Sequence, residues 1–473
     1  MKRLAVVFVL ACFPATIQAQ AERYELGRRL RAFEDRGEHR ADPEGRKRAL
    51  PHLQKSVSAF FSLRLGEAAR SLDLASWHYR KPGSPSDSEH WAMSLNARPT
   101  SHVVDLADES VTVRVEQFYA VTPAVPEGST VEFHVHDRKR ALLWSKKHSI
   151  TALPLEIHVP LAGLSEGDYR INAGIETKDG AVVLHSYGLS VVDRLEPRLR
   201  SVKAAVKKQS SAVSSTDLAT LKHLVKLLSD LAEKKTLETD YPAVRLLREA
   251  EERAKFLAEG KGDFNKNRPG EFWMSLVTAK GQSALVRLKA PQTIKHGKPL
   301  PLVFALHGAG GSENMFFDGY GNGKVVRLCD EREWLVVAPL SGLLSGPSLV
   351  EILDALNGIY PVDEKRVFIV GHSMGASQAI SAACDHPTRF AAVAALGGGG
   401  RVRASEDLQR LPFYVAAGSQ DFALRGAKAL KEALSKAGCD RVVWREFPDI
   451  EHLVIVQASL PDVFAFFDDR AGK

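Results

Sequence analysis

The chain has 473 residues, 44% of them apolar and 26% charged, which is typical of a globular protein and excludes a globally disordered or fibrous chain. This length suits about two to four domains. A formal net charge of +7 spread over it argues against nucleic-acid binding, which needs a clustered basic face. No apolar run reaches the roughly 18 residues of a membrane-spanning helix.

The N-terminus has the pattern of an export signal. Two basic residues precede an apolar stretch over Leu4–Phe13, and Ala19-Gln20-Ala21 fits the small-x-small cleavage pattern. We predict a signal peptide over residues 1–21 and an exported protein, periplasmic or secreted, without an integral membrane segment. The alternative is a lipid anchor on Cys12, because the residues before it loosely match a lipoprotein signal.

Three cysteines remain after such cleavage, and their positions suit neither a disulfide scaffold nor a zinc site. Because three is an odd number, we expect at most one disulfide and one free thiol among Cys329, Cys384 and Cys439.

Residues 22–96 are predicted to form a helical N-terminal segment and a linker. Residues 22–50 are dense in arginine and glutamate with little apolar periodicity, which is typical of a solvated helix or a mobile arm. Apolar residues then recur at helical spacing from Leu53 to Leu72, which predicts one amphipathic helix. The stretch Pro82-Gly83-Ser84-Pro85-Ser86 has the composition of a linker.

Residues 97–195 are predicted to form a β-sandwich-like domain. Apolar and polar residues alternate with period two in segments such as Val111–Glu116 and Val131–Val135, and turn residues separate the segments. That pattern is typical of antiparallel strands with one buried face. His134 and His136 share a face of one predicted strand, but no third ligand is in view, so we expect no metal there.

Residues 196–262 are predicted to form a hairpin of two helices. One apolar stripe runs from Leu218 to Leu231. Asp240-Tyr241-Pro242 is a helix-start signal for a second stripe, which ends at Leu257. We expect this hairpin to link the β-rich domain to the last domain.

Residues 263–473 are predicted to form an α/β domain with a mostly parallel sheet. Short runs such as Leu302–Leu306 and Val367–Val370 are apolar throughout and alternate with helical stretches. Strands buried on both faces have this composition, and helices between them imply parallel connections.

The motif that carries chemistry is Gly371-His372-Ser373-Met374-Gly375, which has the pattern G-x-S-x-G and follows a buried run. A sharp strand-to-helix turn needs these glycines, because side chains there would collide with neighbouring backbone. The turn exposes the Ser373 hydroxyl as a nucleophile and aims the N–H of Met374 at a developing oxyanion. The motif is frequent by chance, but its place between a strand and a helix makes it specific.

The partners of Ser373 are sought in the chain order serine, acid, histidine. Asp421 and His452 each follow a predicted strand, beyond the carboxyl ends where α/β sheets bind ligands. We predict that His452 is the general base and that Asp421 orients it. Asp449 and Glu451 are alternatives for the acid.

A glycine-rich loop follows the first buried strand, in the segment His307-Gly308-Ala309-Gly310-Gly311-Ser312. Such a loop can turn a backbone N–H towards the nucleophile and complete an oxyanion hole. We favour the N–H of Ala309, with that of Gly310 second, and we expect His307 to orient the loop.

Together these motifs resemble the α/β-hydrolase superfamily. The run Val362-Asp363-Glu364-Lys365-Arg366-Val367 before the G-x-S-x-G motif is similar to one branch of it. That branch includes esterase D, feruloyl and acetylxylan esterases, polyhydroxybutyrate depolymerases and predicted peptidases. The resemblance covers about residues 270–470 and implies the fold, the triad and ester hydrolysis with no cofactor or metal. The chain departs from the branch at Phe422-Ala423-Leu424, where a Val-Pro pair often follows the acid.

We therefore expect a serine esterase that acts on a carboxylic ester, which could be linked to a polysaccharide or a polyester. The alternatives are a serine peptidase of the same fold, which would use the same triad, and a non-catalytic polymer-binding protein with a relict hydrolase domain. Nothing in the sequence indicates an oligomeric state. Because all of these motifs lie after residue 300, we also expect the segments before residue 263 to be dispensable for hydrolysis of a small ester.

Overall fold

The computed structural model describes residues 17–39, 42–121, 124–208, 215–261, 263–340 and 346–471. Most of the predicted signal peptide, with Cys12, lies outside these ranges, and so does residue 262 at the predicted domain boundary. The predicted cleavage pattern at residues 19–21 lies in the first turns of helix α1 (Ile17–His39).

The N-terminal segment is helical and well packed, with α1 followed by α2 (Pro43–Phe61), α3 (Leu65–Arg80) and α4 (Asp87–Ser94). The expectation of a solvated helix or mobile arm is wrong, because α1 buries Tyr24, Leu26 and Phe33. The single predicted amphipathic helix is also wrong, since the chain breaks between α2 and α3, where Leu63 takes a left-handed φ of 58°.

Two sheets follow, and they confirm the β-sandwich-like segment. Strand β3 pairs with β1 on one side and with β6 on the other in one antiparallel sheet. The second sheet has the order β2-β8-β7-β4-β5, with only β2 and β8 parallel. Alternate residues of both sheets, among them Val113, Phe133 and Ile171, meet in one apolar core. The strands are β1 (Leu95–Pro99), β2 (Val103–Asp105), β3 (Ser110–Gln117), β4 (Thr130–His136), β5 (Leu142–Ser149), β6 (Leu155–Pro160), β7 (Gly167–Thr177) and β8 (Gly180–Val192).

Three helices, and not the predicted two, connect this β-rich region to the last part of the chain. They are α5 (Leu195–Lys208), α6 (Ser215–Ala232) and α7 (Ala243–Ala258). The missed helix α5 buries few apolar residues among its many basic ones, namely Leu195, Leu199 and Val202. All three helices share an apolar core that reaches Trp273.

The C-terminal part is built on an eight-stranded sheet of order β16-β15-β14-β13-β11-β12-β10-β9. The six strands from β11 onward are parallel, whereas β9 and β10 form an antiparallel edge. The strands are β9 (Gly270–Val277), β10 (Ser283–Ala290), β11 (Leu300–Leu306), β12 (Leu335–Pro339), β13 (Val362–His372), β14 (Ala392–Leu396), β15 (Phe413–Gly418) and β16 (Val442–Phe447).

Helices cover both faces of this sheet. One face packs against α10, α11 and α13. The other packs against α9 and α14, and its apolar core continues into α1, α2 and α3 through residues such as Leu26, Leu53 and Leu72. The helices are α8 (Met315–Asp318), α9 (Tyr320–Asp330), α10 (Leu349–Asn357), α11 (Met374–Asp385), α12 (Glu406–Arg410), α13 (Leu424–Lys436) and α14 (Ile455–Ala471), with short 3-10 turns at Gln292–His296 and Pro387–Arg389.

Within the described ranges, no helix combines the length and the apolar character needed to cross a membrane. Cys329, Cys384 and Cys439 are free thiols, and the first and last of them are buried.

Candidate active site

Ser373 lies in the turn between β13 and α11, at the carboxyl end of the sheet. Its φ of 55° and ψ of −112° lie in a region that side chains rarely adopt, so the turn is strained. The turn is held by close backbone approach on both sides. A Cβ on Gly371 would lie 2.2 Å from the carbonyl oxygen of Gly375, and a Cβ on Gly375 would lie 2.1 Å from that of Leu306. Both glycines of the motif are therefore required by the space.

His452 connects Ser373 to Asp421. The loop between β16 and α14 brings His452 Nε2 to 3.0 Å from Ser373 Oγ, and His452 Nδ1 lies 2.8 Å from Asp421 Oδ1. Asp421 and His452 are both about 95% buried. An ionised carboxylate can only accept a hydrogen bond, so Nδ1–H donates to Asp421. Nε2 is then free to accept the proton of the Ser373 hydroxyl.

The two alternative acids do not face the imidazole. The Glu451 carboxylate accepts the N–H groups of Leu453 and Val454, at 2.7 and 3.0 Å, at the start of α14. Its burial raises its pKa to about 7. Asp449 takes a left-handed φ of 54° in the same loop, and its N–H donates to Ser419 Oγ. Of the three predicted acids, only Asp421 has a hydrogen bond to the His452 ring.

The glycine-rich loop after β11 passes directly beside Ser373. A Cβ on Gly308 would lie 3.3 Å from the Ser373 Cβ, and Gly311 N–H donates to Gly308 O in a tight turn. Ala309 and Gly310 line the same cavity as Ser373. Met374 is the first residue of α11, so its N–H has no partner within the helix. These positions suit the predicted oxyanion donors.

His372 and Tyr320 form a support for His452 that the sequence patterns did not indicate. Tyr320 O–H lies 2.7 Å from His372 Nδ1, and His372 Nε2 lies 3.0 Å from the backbone oxygen of His452. Since a carbonyl only accepts, Nε2–H of His372 donates to it and Tyr320 O–H donates to Nδ1. Burial holds the pKa of His372 well below its usual range. A histidine at the x position before the serine was visible in the motif, but nothing pointed to Tyr320.

A cavity of about 200 Å³ opens above Ser373 and His452. The glycine-rich loop lines one part of this cavity, and residues of α1 and α2 line another part. The apolar part comes from Leu26, Leu30, Val57, Phe60, Phe61, Leu72 and Met315. The polar edge comes from Arg23, Arg31, Glu238 and Thr239. The N-terminal helices thus complete the cavity, which argues against the expectation that residues before 263 are dispensable.

Phe422, where the chain departs from the pattern of the resembling branch, lies beside the His452 ring. Its ring centroid lies 4.2 Å from that of His452, and its edge meets Phe61 of α2 at 6.0 Å. Although 62% of Phe422 is exposed, its ring shields one side of the imidazole. At the position where the chain departs from the branch, Phe422 therefore forms an aromatic pair with Phe61 of α2 beside the imidazole.

Comparison with known proteins gives a family match and structural neighbours. Residues 349–435, which include the serine turn, match the Esterase family model. No curated protein matches the chain. A solved ferulic acid esterase is 17% identical, with a TM-score of 0.37 over 42% of this chain and 98% of that one. S-formylglutathione hydrolase FrmB from Staphylococcus aureus is 16% identical, with a TM-score of 0.36 over 42% and 96% of the two chains. A thermostable esterase is 16% identical, with a TM-score of 0.39 over 80% and 99%.

The strand order and the strained serine turn after β13 give the C-terminal part the fold of an α/β-hydrolase, as its motifs predict. Within this fold, the segment over residues 349–435 is similar to the Esterase family.

Proposed function

We propose that this protein is an exported esterase that cleaves carboxylic esters through an acyl-enzyme on Ser373. The observation that supports it is the unbroken set of hydrogen bonds from Asp421 through His452 to Ser373, at the base of an apolar cavity. Each group has the partner that its part in the reaction requires.

The reaction begins when Ser373 Oγ attacks the ester carbonyl carbon and its proton passes to His452 Nε2. The tetrahedral intermediate collapses, the carbon–oxygen bond to the alcohol breaks, and His452 returns the proton to the leaving alcohol. A water molecule then attacks the carbonyl carbon of the acyl-enzyme and gives a proton to His452. The bond from that carbon to Ser373 Oγ breaks, His452 returns the proton to Oγ, and the acid is released. Asp421 stabilises the imidazolium that forms in both halves.

The developing oxyanion is stabilised by backbone N–H groups from two elements. Met374 contributes the first from the N-terminus of α11, where the helix dipole also favours negative charge. The glycine-rich loop contributes the second, from Ala309 or Gly310. Donors of this kind are typically worth about 10²–10³ in kcat each.

Labelling with a fluorophosphonate tests the nucleophile. We expect purified protein to be labelled on the peptide that contains Ser373 and to hydrolyse p-nitrophenyl esters. Ser373→Ala should abolish labelling and lower turnover by at least about 10³-fold. Labelling that persists in this variant would show that another residue is the nucleophile.

The same preparation separates the alternative functions. An esterase should cleave p-nitrophenyl esters and leave peptide p-nitroanilides intact, whereas cleavage of the anilides would favour the peptidase. A protein with neither labelling nor turnover, but with affinity for a polysaccharide or a polyester, would fit the relict polymer-binding protein.

Export is part of this proposal and has its own test. The basic residues, the apolar stretch and the small-x-small pattern support removal of residues 1–21. Mass spectrometry of protein from outside the cytoplasm should show an N-terminus at Glu22 or Gln20. Recovery of a lipid-modified Cys12 would instead show an anchored protein.

A further inference from the structure

We infer that α1 and α2 are the specificity-determining wall of the esterase, and that they limit the length of the apolar group the ester can present. The inference rests on the proposed function, because it concerns the substrate of the same site. It assigns a task to a helical segment that lies more than 300 residues before the nucleophile.

The wall is built from residues of two helices that line the cavity together with the glycine-rich loop. Leu26 and Leu30 project from successive turns of α1, and Val57 and Phe60 do the same on α2. Residues three or four apart share one face of a helix, so each helix presents an apolar stripe to the cavity. The glycine-rich loop contributes glycines and Ala309, which leave space and offer backbone groups.

Phe60 brings the wall into contact with the glycine-rich loop. A Cβ on Gly310 would lie 2.8 Å from Phe60 Cζ, so the ring touches the loop where a side chain would otherwise stand. Gly310 also takes a φ of +80°. An apolar group bound beside Ser373 therefore meets the Phe60 ring, and its length decides whether it fits.

The size of the cavity gives the class of group. A dry cavity of about 150 Å³ with apolar walls holds one benzene molecule. The volume of about 200 Å³ above Ser373 suits one ring or a medium alkyl chain, and it excludes the backbone of a polymer. A polymeric substrate would have to lie outside and present a small ester group to the cavity.

The wall is fixed in place by hydrogen bonds to three other regions of the chain. On α1, Tyr24 O–H donates to Asp240 between α6 and α7, at 2.6 Å, and Arg29 donates to the backbone oxygen of Leu95 at 2.9 Å. Glu34 accepts the N–H of Gly321 in α9 at 3.3 Å. A wall held in this way limits the length of the apolar group that can bind, because the wall cannot move aside without breaking these hydrogen bonds.

Two substitutions of opposite effect on volume test the inference in the full-length protein. Phe60→Ala enlarges the cavity, and Val57→Phe fills it. We would measure kcat/KM for p-nitrophenyl acetate, butyrate, hexanoate and octanoate, and for acetate esters of ethanol, butanol, hexanol and octanol. In at least one series, Phe60→Ala should move the preferred length upward and Val57→Phe downward, each by roughly tenfold in the ratio of long to short esters.

The matched control is Lys55→Ala, which changes an exposed residue of α2 that does not line the cavity. Its length profile should equal that of the parent. Parent-like profiles in both cavity variants, with fluorophosphonate labelling intact, would overturn the inference and leave the proposed function standing. A parent that is neither labelled nor active would instead contradict the proposed function. If Phe60→Ala does not fold, Phe60→Leu and Val57→Phe still give opposite expected shifts.

Discussion

His452 lies beside two buried acids, Asp421 and Glu451, and only Asp421 is hydrogen-bonded to its ring. Asp421 is hydrogen-bonded to Nδ1, whereas Glu451 is occupied with the backbone at the start of α14. Chain order alone left both acids open, since they differ by 30 positions and both follow strands. Only the backbone path of the loop, with its left-handed Asp449, determines which carboxylate meets the imidazole.

Substitution of the histidines after Ser373 tests this assignment. His452→Ala should lower turnover of a p-nitrophenyl ester by about 10³-fold or more, because the proton acceptor is lost. His386→Ala should keep parent activity, since His386 follows α11, whose 12 residues place it about 18 Å from the serine turn. An inactive His386→Ala beside an active His452→Ala would refute a triad that contains His452.

Glu34 gives a prediction about pH and stability. Its burial raises its pKa to about 8, against an ordinary value of 4.5. A folded-state pKa above the unfolded one means that the stabilisation is complete below pH 4.5 and is lost as the pH rises through about 8. Glu34→Gln does not titrate, so its Tm relative to the parent should increase between pH 5 and pH 9. We would measure this by calorimetry.

The control for Glu34 is Glu44→Gln, whose carboxylate is 72% exposed. The difference between its Tm and that of the parent should stay constant over the same pH range. A constant difference for Glu34→Gln as well would mean that Glu34 is not protonated in the folded protein at neutral pH.

The turn between β13 and α11 depends on backbone contacts that leave no room for a methyl group. Gly371→Ala would force the new Cβ against the Gly375 carbonyl oxygen. Overpacking usually costs about 1–3 kcal/mol, and here the opposing atoms belong to backbone and cannot rotate away. We expect a loss of about 3 kcal/mol or more by urea unfolding, together with loss of activity.

Gly358→Ala is the matched comparison, because its Cβ would lie 3.5 Å from the Ala355 oxygen, in ordinary contact. Its free energy of unfolding in urea should be close to that of the parent. A Gly371→Ala protein with parent stability and activity would show that the turn relaxes, contrary to our expectation.

The elements differ in how far the sequence determines them locally. Strand β11 and the second half of β13 were predictable because they are buried on both faces, so each is a short apolar run. Helix α1 was misjudged because its buried residues include Glu25, Arg28 and Arg29. Those charges are paired with one another and with Asp73 of α3, and pairing across the fold leaves no mark in a local pattern.

The packing of the whole chain joins its two ends, because α1–α3 share one apolar core with the sheet that carries the candidate active site. The three residues of the predicted triad could be found in the sequence because each directly follows a predicted strand or the loop after it. The cavity could not be predicted from local sequence patterns, because it depends on contact between segments far apart in the chain. Phe61 and Phe422, for example, meet from opposite ends of the sequence.

Removal of the N-terminal segments tests this dependence. A protein that begins at Asp263 loses the partners of Tyr320, Val454 and Ile455 in the shared core. We expect it to aggregate, or to retain less than about one hundredth of the parent's turnover per folded molecule, because an open cavity no longer excludes water. Size-exclusion chromatography and p-nitrophenyl ester turnover provide the measurements. A soluble, monomeric fragment with parent kinetics would show that the α/β part is self-sufficient.

The hydrogen bond from Gly321 N–H to Glu34 joins residues 287 positions apart in the sequence. The Gln54 side chain donates to the backbone oxygen of Gln420, which is 366 positions away. Contacts of such high sequence separation slow folding, because the intervening loop must close before they form. Helices α1 and α2 thus wait for residues that are synthesised long after them before they find their places. The export that we propose would benefit from that delay, since the chain stays unfolded and inactive as an enzyme until it has crossed the membrane.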